Sequence, residues 1–337
     1  MESGTLAAIP APRCHHEIML RALTVSFALL AVSFGTSAAE TNPPAVDVSS
    51  KVRNEVSNDG RNEVSNDGRT NVGSEQPIPQ SISAAGVTSD EDSAAENELL
   101  EAANKSRELA GLAPLRLEES LREAARAHAR RMVASERLEH RLAGEPSLLE
   151  RIGQVIALDS ALKIDRAGEN IANAACALSA NEALMRSAPH RKNLLDRGFN
   201  VAGIAAIWSK GRLYVVQDFA HEVPSYSAQQ SRKLVGRAVA ETRQRAGLPE
   251  LAQLAPPNLD EAACSLAREN HPNARLIATA YDNRKIIAYT QSNPEVLPAG
   301  ALRLLRDPGV RQFAVGSCYA RNAAYPTGMY WVAILLY

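Results

Sequence analysis

Val201-Ala-Gly-Ile-Ala-Ala-Ile-Trp208, then Ser209-Lys210-Gly211, then Leu213-Tyr-Val-Val-Gln-Asp-Phe219: here the chain changes its period. Both outer runs have strand composition, and the short glycine-containing connection reads as a hairpin turn. Upstream, from Ser93, the period is helical. Ser93 and Glu96 form a capping-box pattern, Leu99, Leu100, Ala103 and Ala110 follow at helical spacing, and Gly111 is a natural stop. A second helix is expected from about Glu118 to Ala134, with Leu121, Ala125, His128 and Met132 on one stripe. A long polar loop should follow, then a third helix from Ala180 to Arg186, with Pro189 marking its end. Helices first and an antiparallel hairpin afterwards argue for an α+β layered domain over 93–222.

Beyond Tyr226 the pattern partly repeats. Arg107-Glu-Leu-Ala-Gly-Leu-Ala-Pro-Leu115 matches Arg243-Gln-Arg-Ala-Gly-Leu-Pro-Glu-Leu251, and Leu121-Arg-Glu-Ala-Ala125 matches Leu259-Asp-Glu-Ala-Ala263. Both halves end in strand-like sequence, Val201-Ala-Gly203 with Tyr214-Val-Val216 and Ala314-Val-Gly316 with Tyr330-Trp-Val332. Residues 226–337 therefore read as a shortened, degenerate copy of the first unit. The apolar run Met329-Tyr-Trp-Val-Ala-Ile-Leu-Leu336 has a plain reading as a buried central strand, and a functional one as part of a docking module or lid. In this alignment His128 falls on Leu266, and nothing replaces His140, Glu169 or His190. It also places Cys264 on a helix above the strand that holds Cys318, which makes a disulfide between them plausible. Cys176 is expected to be a free thiol.

The first 92 residues read differently. Arg21 precedes an apolar run from Ala22 to Phe34, and Ser37-Ala38-Ala39 offers small residues for cleavage. Residues 1–39 thus look like an export signal, with Met19 as a possible true start. The run is shorter than the roughly 20 apolar residues of a membrane span, although an uncleaved anchor stays open. No transmembrane helix is expected in the mature chain, which should be periplasmic or extracellular. Residues 40–92 read as a polar linker, because Arg53-Asn-Glu-Val-Ser-Asn-Asp-Gly60 recurs at Arg61 to Gly68 without apolar residues enough to order it. Charge is nearly balanced, 37 Lys+Arg against 38 Asp+Glu, which gives no surplus to recruit nucleic acid. No aromatic residue lies between Phe34 and Phe199, so a core there is aliphatic.

Chemistry concentrates in the first unit. His140 lies in Leu138-Glu-His140, Glu169 in Gly168-Glu-Asn-Ile-Ala172, and His190 in Ser187-Ala-Pro-His-Arg-Lys-Asn193. Two neutral imidazoles and a carboxylate suit a zinc ion with one position open for water. Without metal the trio is a pH-sensitive hydrogen-bonding cluster. Structural roles remain open for each, and Glu169 has a second role as a carboxylate holding backbone N–H groups. His128 sits on the apolar stripe, where a hydrogen-bonded core histidine is the favoured reading. Ser187, His190 and Glu169 imitate a catalytic triad, but no Gly-x-Ser-x-Gly elbow surrounds Ser187.

These elements together resemble the CAP superfamily (cysteine-rich secretory, antigen 5 and pathogenesis-related 1) in its short bacterial form. The resemblance rests on Asn104-x-x-Arg107, His128-Ala129, the His140 segment, Gly168-Glu-Asn-Ile-Ala172, Ser187-x-x-His190-Arg-x-Asn193-Leu-Leu195 and Tyr214-Val-Val-Gln-Asp-Phe219. It implies an α-β-α sandwich with a cleft lined by His140, Glu169 and His190. Two positions depart from the family pattern: Ser187 stands where a second acid is common, and Leu184 where a Trp is common. The function expected from this is an exported, non-enzymatic protein binding a small-molecule, lipid-like or envelope-derived ligand, with His140 and His190 able to hold Zn2+. The alternative is a zinc-dependent hydrolase of envelope material in which Glu169 is a ligand or the general base.

Overall fold

The computed structural model describes residues 91–159, 161–281 and 285–337. The expected signal peptide and all but the last two residues of the expected linker lie outside them. Helix α1 (Ser93–Leu109) begins one residue earlier than the capping box predicts: Asp92 is the cap, its side chain accepting from Ala95 N at 3.0 Å. Glu96 is drawn away from capping because Arg126 on α2 (Glu119–Ser135) takes its carboxylate. Asp92 also accepts from Trp208 Nε1, tying the helix start to the hairpin.

The interval expected to be a polar loop holds two further elements, α3 (Leu148–Asp159) and β2 (Ile164–Ala174). Ile152 and Ile156 at helical spacing bury α3 against the sheet. Next come α4 (Ala177–Arg186) and α5 (Ala188–Leu194). Pro189 does not simply end a helix. It occupies the first turn of α5, where its missing N–H is no loss.

Strands β3 (Val201–Ser209) and β4 (Arg212–Glu222) form the expected hairpin, and Lys210 and Gly211 both take positive φ, as a two-residue type I′ turn requires. With β1 (Arg116–Leu117) they give the order β1-β3-β4-β2, β1 parallel to β3 and the rest antiparallel. Alternate β3 residues face opposite ways. Ile204 and Ala206 pack on α1 and α4, while Ala205 and Ile207 pack on α2. Burial on both faces explains the unbroken apolar run, and the layers are α-β-α.

The second half contains α6 (Ala228–Arg245), β5 (Ala252–Leu254), α7 (Leu259–Arg268), α8 (Arg275–Ala278), β6 (Lys285–Gln291), α9 (Ala299–Leu305), β7 (Gln312–Ala320) and β8 (Met329–Leu336). Its sheet runs β5-β7-β8-β6, again with one parallel pair, β5 with β7. β8 is central: Val332 and Ile334 face α6 and α9, and Trp331, Ala333 and Leu335 face α7.

Both halves use the same anchors. Arg107 donates to the carbonyls of Ala113, Leu194 and Asp196, and Arg243 donates to those of Pro249, Leu305 and Asp307. Gly203 lies against the backbone of Leu121, and Gly316 against that of Leu259; a Cβ at either would collide with the helix start. Cys264 and Cys318 are joined by a disulfide. Cys176 is disulfide-bonded and not the free thiol expected, and no described cysteine is free. The described residues fall within one compact body, and no helix among them is long and apolar enough to cross a membrane.

Candidate functional site

β2 is the edge strand of its sheet, and the cleft residues gather around it. Glu169 pairs in register with Asp218 of β4. The alternation of β4 puts Val216, Asp218 and Ala220 on the face covered by α2 and α3. Glu169 shares that face, beneath the helices, with a side chain only 4% exposed.

A buried carboxylate is tolerated when its oxygens are taken, and here both are. His140 Nδ1–H donates to Oε1 at 2.8 Å from the connection after α2, its ring 56% exposed. Arg151 of α3 pairs with Oε2, and also donates to the His140 carbonyl at 3.1 Å. One arginine thus holds both ends of the His140–Glu169 contact. His128 is the core histidine favoured by its position. Its Nδ1 lies 2.9 Å from Glu145 Oε1, its Nε2 3.0 Å from the Glu139 carbonyl, and it is fully buried beside the site. Glu145 Oε2 accepts from Leu142 N at 3.1 Å, which shapes the segment carrying His140.

His190 reaches the cleft on α5, which packs with α1 on the opposite face through Leu194. The two histidines therefore approach β2 from its two sides, with ring centroids 6.2 Å apart. Asn170 Nδ2 donates to the His190 carbonyl at 3.0 Å, and Asn193 Nδ2 to the Glu169 carbonyl at 3.1 Å, which fixes α5 to the strand. Burial, and secondarily the neighbouring His140, lowers the His190 pKa, keeping the imidazole neutral with a lone pair to offer. Ser187 lies between α4 and α5 and makes no capping bond to the helix that follows.

Among the described residues no group of three His, Cys, Asp or Glu is arranged to hold a metal ion. Glu169 has both oxygens committed, so the groups left to a metal are imidazole nitrogens of His140 and His190. Glu169 would then be the carboxylate that orients His140 from behind.

Asp218 was quoted in the sequence only as part of a motif. It is wholly buried, and neither carboxyl oxygen has a hydrogen-bond partner among the described residues. Burial first, and the adjacent Glu169 second, raise its pKa well above the ordinary carboxylate range. Arg151 and Glu145 were missed as well, the first through the missed helix. An open concavity of about 590 Å³ lies beside the trio, lined by Arg141 to Pro146 with Glu150 and Gln154. It includes neither histidine.

Residues 100–219 match the family model described as CAP, the cysteine-rich secretory protein family. A comparison with curated proteins finds no match. Among solved structures, the chain is similar to an extracellular protein containing an SCP domain from Bacillus anthracis. That match is 22% identical over 38% of this chain and 40% of the other, with a TM-score of 0.34. An outer surface protein of Borrelia burgdorferi is similar at 15% identity, over 40% of this chain and 100% of the other, with a TM-score of 0.36. A cysteine-rich secretory protein from Staphylococcus aureus is similar at 18% identity, over 38% of each chain, with a TM-score of 0.29. The matches thus span less than half of the Bacillus and Staphylococcus chains.

Proposed function

We propose that this chain, which carries a CAP domain at residues 100–219, is an exported binding protein whose cleft of His140, Glu169 and His190 is its working site. The observation that carries the reading is the held imidazole. His140 is exposed at its outer edge and fixed at its inner edge by Glu169, itself locked by Arg151. A histidine so oriented, beside a neutral His190, suits a divalent ion such as Zn2+ or the polar end of a small-molecule, lipid-like or envelope ligand. When bound, zinc supplies a Lewis-acidic point for an oxygen or nitrogen donor. The protein's part is to orient the two rings and keep Glu169 away from solvent.

Export is supported by the amino-terminal sequence and by described cysteines that are all oxidised. Residues 226–337 are, in this proposal, a shortened degenerate copy of the first unit. The matched strand order, the Arg107 and Arg243 carbonyl anchors and the Gly203 and Gly316 contacts support that descent.

Isothermal titration of purified protein with Zn2+ tests the site. The wild type should bind about one ion, and the His140→Ala/His190→Ala double variant none. A wild type that takes up no zinc overturns the metal assignment. Hydrolysis of peptidoglycan or peptide that disappears in His140→Ala would replace the binding protein with a hydrolase.

A further inference from the structure

The second half touches the first half at one corner that matters. The connection between β7 and β8 lies on α3. Arg321 Nη2 donates to the Ile156 carbonyl at 3.2 Å, and the Pro326 carbonyl lies where a Cβ on Gly153 would be, 2.5 Å away. Glycine inside a helix is unfavourable relative to alanine, so a mid-helix glycine needs a reason, and the close approach of Pro326 supplies one.

Lys163 stands just before β2 and enters a box of tyrosines from the second half. Its ammonium lies 3.9 Å from the Tyr319 ring centroid and donates to Tyr330 Oη at 3.0 Å. The box is braced from within. Tyr319 meets Tyr330 edge-on at 5.0 Å and donates from its hydroxyl to the Thr327 carbonyl at 2.8 Å, and Tyr226 N donates to Tyr330 Oη at 2.7 Å. Burial lowers the lysine pKa, as expected of an ammonium taken out of water to face aromatic rings. Both docking points flank the helix that carries Arg151, two residues before Gly153.

We propose that the second half braces the cleft: by holding Gly153, the Ile156 carbonyl and Lys163 it sets the position of α3, and through Arg151 the position of Glu169 and His140. Ile152 and Ile156 already pack α3 on the first sheet, so the brace is not needed for the helix to form. It fixes where the helix sits, and a site of this kind tolerates only about 0.5 Å of misplacement. Lys163, Gly153 and Arg321 are positioning residues in this scheme.

The test uses the full chain, with Gly153→Ala, Lys163→Met and Lys163→Arg. Gly153→Ala would stabilise a free helix, so loosening by this change points to the wedge against Pro326. Amide hydrogen exchange is expected to rise about tenfold in α3 and in 138–146 for Gly153→Ala and Lys163→Met, with α7 and β8 unchanged. Lys163→Arg, which keeps a cation over Tyr319, should exchange as wild type. The His140 ring resonances should shift in the two loosening variants, and their zinc affinity should fall about tenfold. Unchanged exchange in α3 and 138–146 overturns the brace, as does a rise confined to α7 and β8. A wild type that binds no zinc would defeat the metal assignment alone, because exchange and ring resonances report on the brace without it.

Discussion

Removing the Arg151 guanidinium should be among the most damaging single changes in the first half. Arg151 is 6% exposed and faces a Glu169 side chain that is 4% exposed, so water cannot replace either partner in place. In Arg151→Met the stem is kept and the charge lost. Glu169 then keeps only its hydrogen bond to His140, with His128 Nε2 3.9 Å away and the wholly buried Asp218 in register with it. Truncating one member of a buried pair costs about 3–5 kcal/mol, most of it the desolvation of the group left behind. For a body of this size each kcal/mol moves the melting midpoint by roughly 2–4 °C, so a fall of about 6–20 °C is expected. Glu169→Gln added to Arg151→Met removes the stranded charge while still offering a carbonyl to His140 Nδ1–H. The double variant should therefore recover most of the loss, giving a coupling of about 2–3 kcal/mol in the cycle. Urea midpoints of the four proteins at pH 7 measure it. A loss under about 1 kcal/mol in Arg151→Met, or a double variant no better than the single, would show that the pair is hydrated and refute the reasoning.

Asp218 gives a pH prediction with a definite sign. Its folded pKa lies above the unfolded value, so the stability tied to its neutral form is present in acid and lost as pH rises through the folded pKa. Asp218→Asn, uncharged throughout, should match the wild type at pH 4 and exceed it at pH 8 in urea midpoint; parallel profiles would sink the assignment. The Cys264–Cys318 bridge closes a span of 54 residues, worth about 4 kcal/mol by loop entropy. Cys264→Ser/Cys318→Ser should raise amide exchange in α7 and β7 and spare β2; equal loosening of both sheets would contradict that localisation.

Where hydrophobic period alone decides an element, the sequence was a good guide. α1, α2 and the β3–β4 hairpin appear within three residues of expectation, because each buries a regular stripe or both faces. The interval 148–174 was not legible in that way. In α3 the buried Ile152 and Ile156 are accompanied by the exposed Leu158, which blurs the stripe, and β2, with polar Asp165, Arg166, Glu169 and Asn170, lacks strand alternation. Of these, Glu169 and Asn170 contact His140 and His190, whereas Asp165 and Arg166 pair at the surface with His221 and Asp196. His140, Glu169 and His190 were named from their motifs, and the structure puts them around one strand edge. Arg151, Glu145 and Asp218 were not named, since a buried ionisable residue betrays itself only through its partners, and these are distant in sequence. Asp218 did leave a trace, as an acid in an otherwise apolar strand.

In the proposed degenerate copy, residues 226–337, the corresponding positions lack the cluster. Gly203 stands opposite Asp218 and Gly316 opposite Ala333, and Asp218 pairs with Glu169 as Ala333 pairs with Ala288. Counting seven residues from the helix starts at Leu121 and Leu259, which lie against those glycines, leads to His128 and to Leu266. Three ionisable positions in one half are thus apolar in the other, and Leu266 and Ala333 belong to one dry core there. The architecture therefore does not require the histidine or either carboxyl. Nor does stability favour them: each buried ion carries a desolvation penalty of several kcal/mol that only good pairing offsets, and at Asp218 that penalty shows as a raised pKa. What the cluster does accomplish is directional. Arg151 and Glu169 terminate on His140, whose side chain is 56% exposed. A buried assembly that is costly to the fold and ends on an accessible imidazole is suited to holding that imidazole still, which is why the proposed binding site centres on His140 with Arg151 as its inner support.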